Sequence, residues 1–226
     1  MPLVMMAIGV ITVIAGFMTD KTRIWAVLLQ NDFYFTALGL CGIFFVALQY
    51  VAQAGWTVGF KRIPEAMGGF VKFGMLGLII IFLLGHNELY FWTHTGISDP
   101  KSSNYDHILA GKSGFLNMPF FIIRLLLYSA IWVGTIMILR KNSLEEDQHG
   151  GLTYYHRCVL VSAVFIVLFG ITSSTSAWDI LMSIDAHWFS TLFGWYVFMG
   201  LFVSGSAMIC LWILYLKGRG YMDHIN

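Results

Sequence analysis

The stretch Ser173-Ser174-Thr175-Ser176-Ala177-Trp178-Asp179-Ile180-Leu181-Met182-Ser183-Ile184-Asp185-Ala186-His187-Trp188-Phe189-Ser190 decides how this chain is read. It sits at the junction of two long apolar runs, Cys158–Trp178 and Trp188–Leu216. No other part of the chain gathers so many ionisable and hydroxyl groups beside lipid-compatible sequence. About 20 apolar residues cross the hydrocarbon core of a bilayer, so each run reads as a span. The junction then becomes the working edge of a membrane protein, held at one bilayer surface by the rest of the chain.

Composition supports that reading. Of 226 residues, 58% are hydrophobic and 11% are charged. A soluble domain carries about 25% charge. A chain this poor in charge cannot cover its surface in water, so its main solvent is lipid. The net charge of +1 offers nothing to a nucleic acid. Cys41, Cys158 and Cys210 stand alone in or beside apolar runs, with no CxxC and no CxxCH. The chain by itself therefore supplies no iron–sulfur cluster, zinc site or covalent haem, and the three thiols read as small core residues.

Working outward, six segments are long and apolar enough to span: Leu3–Thr19, Phe33–Trp56, Gly68–Trp92, Met118–Leu139, Cys158–Trp178 and Trp188–Leu216. The sequence predicts an all-α, polytopic transmembrane bundle forming one domain. The first segment has no polar leader and no small-residue cleavage site, so it reads as a span, and its abrupt start suggests that N-terminal residues are missing. Eight Lys and Arg residues fall on the side of the N-terminus and four on the other, with Arg124 inside a span. The positive-inside rule places the N-terminus in the cytoplasm. Asp20–Asp32 and Thr93–Asn117 then read as outward connections. The second has a length that is usually functional or packed on a partner. Trp and Tyr gather at span ends, as interfacial belts do. The pairs Gly39/Gly42 and Gly74/Gly77, and Gly200 with Ser204, allow helices to approach closely.

Asp179 ends the fifth span. A carboxylate there is expensive unless paired or wet, which makes it a candidate site residue. Asp179 and Asp185 are six steps of about 100° apart, so one straight helix cannot present both on one face. A break is expected near Ser183. Asp185 reads equally as an N-cap for the last span or, with His187, as part of a site. Arg124 lies roughly 9 Å inside the fourth span and either snorkels or pairs with Asp179 or Asp185; pairing is favoured, and Pro119 marks the helix start. His86 and Glu88 end the third span on the same side, followed by His94. Together His86, Glu88, Arg124, Asp179, Asp185 and His187 outline a polar pocket or proton relay opening outward, since histidine beside carboxylates exchanges protons near neutral pH. A solvated rim would look the same. On the inner side Glu65 and Lys72, seven apart, share a helical face and either admit protons or are ordinary interface residues. The spans show no midplane charge, which ranks an independent transporter last.

Other signals carry less. Gly111-Lys112-Ser113 resembles the end of a P-loop, but Asp106 stands where that motif needs glycine. His156 and His86 lie at opposite edges, so they do not ligate one haem. His149 and His224 read as loop residues. No metal site is expected.

The run Trp178–Tyr196, which continues Trp188-Phe189-Ser190-Thr191-Leu192-Phe193-Gly194-Trp195-Tyr196, resembles the ActF-type membrane subunits of alternative complex III, a quinol-oxidising complex. So do Gln49-Tyr50-Val51-Ala52-Gln53-Ala54-Gly55-Trp56, Gly111–Arg124 and Tyr215-Leu216-Lys217-Gly218-Arg219-Gly220-Tyr221. That family is similar to ActC and to the NrfD/polysulfide reductase membrane anchors. The resemblance implies an NrfD-type helical bundle in a bacterial inner membrane. It implies partners: an ActC-like subunit, an iron–sulfur subunit, haem c subunits and a terminal oxidase. It also implies oxidation of menaquinol or ubiquinol, with electrons carried by clusters and haems in those partners. An ActC-like subunit would hold the quinol pocket near the clusters. This chain would give structure and proton movement, the alternative being its own quinone pocket at the outer edge. Two departures stand out: relatives have more spans than the six read here, and they carry a long His-rich insertion between the first two.

Overall fold

The computed structural model describes residues 2–222, so His224 lies outside the described residues. The fold is all-α: α1 (Pro2–Thr19), α2 (Lys21–Val51), α3 (Arg62–Gly68), α4 (Val71–Leu89), α5 (His107–Lys112), α6 (Met118–His149), α7 (Leu152–Ile180) and α8 (Phe193–Gly218), with short 3-10 turns between some of them. Five stretches are long and apolar enough to cross a membrane: α2, α3 with α4, α6, α7 and α8. The first predicted span, α1, is apolar but shorter.

Caps and turns explain the boundaries. The Asp20 carboxylate accepts the Arg23 N–H at 3.0 Å and starts α2. Nothing breaks that helix before Val51, so Lys21–Asp32 is helix and the expected outward connection shrinks to a turn. The third predicted span begins earlier than expected, as α3, and is interrupted at Gly69 and Phe70 before α4. It stops at Leu89, because Phe91–Thr93 forms a separate 3-10 turn. Asn117 caps α6 by accepting the Phe120 N–H at 3.0 Å, with Pro119 in the first turn as expected. Gly150 and Gly151, both at positive φ (66° and 81°), make the tight reversal into α7, a conformation that side chains resist. α6 therefore runs to His149, which pairs with Glu145 at 3.2 Å and is not a loop residue. The break expected near Ser183 is the 3-10 turn Met182–Asp185, and α8 starts at Phe193, five residues later than the predicted span.

α2 is the central helix. It packs against α3, α4, α7 and α8, and α6 pairs with α7. Gly42 lets α2 approach the Pro64 carbonyl of α3, and Gly205 of α8 sits against Cys41. Trp132, Phe165, Phe169 and Ile43 are fully buried between these helices. Cys41 and Cys158 are core residues as expected, whereas Cys210 is exposed. The outer faces carry large apolar side chains, such as Ile171 and Val203, at about two-thirds exposure (62% and 66%). A surface of that kind is stable against lipid and not against water. α1 lies outside the bundle, touching α2 through Phe17 and Trp25, whose rings meet edge-on at 5.0 Å.

Candidate functional site

Arg124, near the start of α6, meets Asp179, near the end of α7. Arg124 donates through Nε to Asp179 Oδ2 at 2.7 Å and through Nη2 to Asp179 Oδ1 at 2.9 Å. The Tyr128 hydroxyl adds a third donor to Oδ2 at 2.6 Å. Arg124 and Tyr128 are four residues apart on α6, so one helical face presents both. The third guanidinium nitrogen donates to the Phe115 carbonyl at 3.0 Å, and the Phe115 and Phe120 rings cover its plane at 3.9 and 4.3 Å. Asp179 is 1% exposed and Arg124 7%. Both carboxylate oxygens and the guanidinium fork are satisfied, which a buried pair requires to repay its desolvation. Arg124 therefore pairs and does not snorkel. Tyr128 and Phe115 were not read as partners from sequence; the spacing of four from Arg124 was the available signal for Tyr128.

The segment Tyr90–Asn117 folds over this pair and ties down the α7–α8 junction. Lys112 Nζ donates to the Ala186 carbonyl at 2.5 Å. Tyr90 donates to the Ile180 carbonyl at 2.8 Å; burial, then the Asp179 charge, pushes its phenol above the ordinary range and keeps it a donor. Ser183 donates to the Asp179 carbonyl. His187 Nε2 lies 2.7 Å from Asp106 Oδ2. Asp106 also caps α5, accepting the Ile108 and Leu109 N–H groups. The Leu109 N–H, then the His187 ring, hold the Asp106 carboxyl below the ordinary carboxylate range.

The six sequence candidates thus separate into three groups. Arg124 with Asp179 is the buried pair. His187 belongs to the Asp106 latch, and Asp185 is exposed, accepting the His187 N–H at 3.3 Å without capping α8. His86 Nδ1 lies 3.2 Å from the Phe82 carbonyl, and Glu88 accepts the Thr22 hydroxyl at 2.7 Å. Neither His86 nor Glu88 is bonded to the pair, so the expected single pocket of six is not formed. Glu88 meets α2 at Thr22, and His86 stays against Phe82 of its own helix, whereas Arg124 points from α6 to α7.

Beside the pair a cavity of about 380 Å³ opens between Lys112, Phe115, Trp178, Ser183, Trp188 and Phe189. Its walls are mostly apolar. The Trp178 indole nitrogen is buried with no hydrogen-bond partner among the described residues. An indole N–H donates only, so a ligand carbonyl would satisfy it.

The opposite end holds a cluster that sequence reading missed. Arg62 donates to Glu65 at 2.5 Å, and the Ser143 hydroxyl donates to the other Glu65 oxygen at 2.7 Å. Arg62 also donates to the Ser143 carbonyl at 3.0 Å and pairs with Asp147, and Lys61 pairs with Glu146 at 3.3 Å. Lys72 takes no part: the interruption at Gly69 and Phe70 breaks the shared face, and Lys72 lies exposed, 4.8 Å from the Phe73 ring centre. The expected connection Asp20–Asp32 also gives way to helix. Asp32 is inside α2, ten residues or about 15 Å beyond Thr22. It was misplaced because Lys21, Arg23 and Asn31 made its surroundings look like a loop.

No family model fits the chain, and no curated protein matches it.

Proposed function

We propose that this integral membrane protein is a subunit of a quinol:cytochrome c oxidoreductase of the alternative complex III type. In that reading the chain carries no redox centre. It braces the extracytoplasmic edge and handles protons there, while an iron–sulfur subunit, haem c subunits and an ActC-like membrane subunit carry the electrons. The supporting observation is the buried, three-donor Arg124–Asp179–Tyr128 cluster beneath the Tyr90–Asn117 segment. It fixes one end of the bundle and presents titratable groups, Asp106 and His187, on the surface above it. The N-terminus lies in the cytoplasm in this arrangement, and the membrane is the bacterial inner one.

A tagged copy purified from native membranes in mild detergent tests the assembly. Haem c and iron–sulfur proteins co-purifying in fixed ratio support the reading; recovery of the chain alone, with intact partners found elsewhere, rejects it. The proton role needs a separate test, because Asp179→Asn would leave the Arg124 charge buried and unpaired. Replacing Arg124 and Asp179 together with leucine removes both charges and keeps the volume. A folded, assembled double variant with slowed proton-coupled turnover supports the relay, and one with normal turnover reduces the pair to a brace.

The cavity favours a second reading, a quinone held by this chain. Its volume is within the range of small-molecule sites, its walls are apolar, and the Trp178 N–H and the Lys112 ammonium are donors suited to ring carbonyls. Menaquinone or ubiquinone, supplied from the bilayer, would contribute reversible two-electron chemistry there. The chain's own residues would bind and orient the head group.

A further inference from the structure

Asp32 is a carboxyl group within a helix long and apolar enough to cross a membrane, and it has no cationic partner among the described residues. The side chain is half-buried, and its Oδ2 is fully buried without a hydrogen bond among the described residues. One helical turn further along α2, Thr36 is 1% exposed, and its hydroxyl is also buried and unbonded. A threonine in a helix usually donates to the carbonyl four residues back, so this orphan hydroxyl is unusual.

Both side chains point at α4. A Cβ on Gly77 would meet Asp32 Oδ1 at 2.6 Å, and one on Gly74 would collide with the Thr36 hydroxyl. The two glycines, three apart on one face of α4, leave the space these oxygens occupy. Among the described residues, no charged group on the helices packed against α2 forms an ion pair with Asp32. Glu65 belongs to Arg62 and Asp179 to Arg124. Glu88 accepts from Thr22 at the outer end, and Lys72 lies exposed beside Phe73. α1 contains no charged residue.

An isolated carboxylate in hydrocarbon is strongly disfavoured, and an intramembrane acid marks an ion path by default. We propose that Asp32 and Thr36 form an intramembrane site for a small monovalent cation, a proton or Na⁺. The carboxyl supplies the charge, the Thr36 hydroxyl supplies a second oxygen, and the exposed edge of Asp32 is the way in. The site is separate from the Arg124–Asp179 pair and does not rest on membership of any complex.

The full-length protein in liposomes tests this with dicyclohexylcarbodiimide, an apolar reagent that attacks protonated carboxyls in membranes and leaves a stable adduct readable by mass spectrometry. The expected result is an adduct on Asp32, absent in Asp32→Asn, while Asp179 stays unmodified. Na⁺ added at constant pH separates the sources: protection identifies a sodium site, and unchanged labelling identifies a proton site. A parallel reaction with a water-soluble carbodiimide and glycine ethyl ester marks ordinary wet carboxylates such as Asp185. Asp32 labelled by that reagent and not by the apolar one overturns the proposal. So does absence of both adducts together with no loss of a protonated-carboxyl infrared band in Asp32→Asn.

Discussion

At one end of the bundle Arg124 meets Asp179; about 28 Å along α6, near Ser143, Arg62 meets Glu65. The first pair is sealed, with side chains 9% and 2% exposed. The second is open on one side: Glu65 is 3% exposed but Arg62 is 37% exposed and shares itself among Glu65, Ser143 and Asp147. The first links α6, α7 and the Tyr90–Asn117 segment through charges that water cannot screen. The second links α3 to α6 through an arginine that water still reaches. Similar chemistry therefore gives a stiff joint at one end and a softer one at the other.

The largest expected effect tests that difference directly. Arg124→Leu leaves Asp179 buried without its counter-charge and should cost about 3–5 kcal/mol of stability. Arg62→Leu should cost less, about 1–3 kcal/mol, because the charge removed is already partly solvated and the Ser143 hydroxyl still donates to Glu65. Thermal unfolding of both variants in the same detergent checks the order, and equal losses would erase the contrast.

Next in size is the cavity beside the sealed pair. Trp178→Phe keeps the ring and removes the N–H. If a ring carbonyl binds there, affinity for a short-chain quinone should fall about tenfold, the worth of one hydrogen bond of about 1.4 kcal/mol. Unfolding temperature should stay unchanged. Titration of quinone against intrinsic fluorescence reads the affinity.

Smaller still is the Asp106–His187 latch. The folded Asp106 carboxyl is held below its ordinary value of about 3.9. Its contribution to local stability is therefore present above that ordinary value, and it is lost as pH falls through the lowered one. Protection of the Ile108 and Leu109 amides from hydrogen exchange, relative to their intrinsic rates, should be present at neutral pH and lost in strong acid, and lost at every pH in Asp106→Ala. The Arg62 cluster should be unaffected by that substitution. Lys72→Ala should change stability by less than about 0.5 kcal/mol, since its side chain is exposed and in no ion pair among the described residues.

Much of the fold is legible in the sequence because apolar runs of bilayer length admit few alternatives. The Arg124–Asp179 pairing is legible for a related reason: two opposite charges at the same depth in neighbouring spans have few other partners. Asp32 was misread because helix and loop differ there only by a cap at Asp20, and polar residues near a helix end mimic a connection. Glu65 was assigned the wrong neighbour because a glycine and a phenylalanine, Gly69 and Phe70, interrupt the helix, a break that spacing alone does not reveal. Trp178 stayed hidden because an aromatic residue at a span end looks like part of an interfacial belt until its polar atom is placed, and Tyr128 because an aromatic residue ten positions into a span looks like ordinary core.

A double-mutant cycle on Arg124 and Asp179, with each position changed to leucine singly and together and stability followed by unfolding in lipid nanodiscs, tests the central claim most directly. The account predicts that either single change is severely destabilising and that the double change recovers most of the loss, a coupling of about 3 kcal/mol or more. Losses that simply add would contradict it, showing that the two side chains do not form the sealed joint of this bundle.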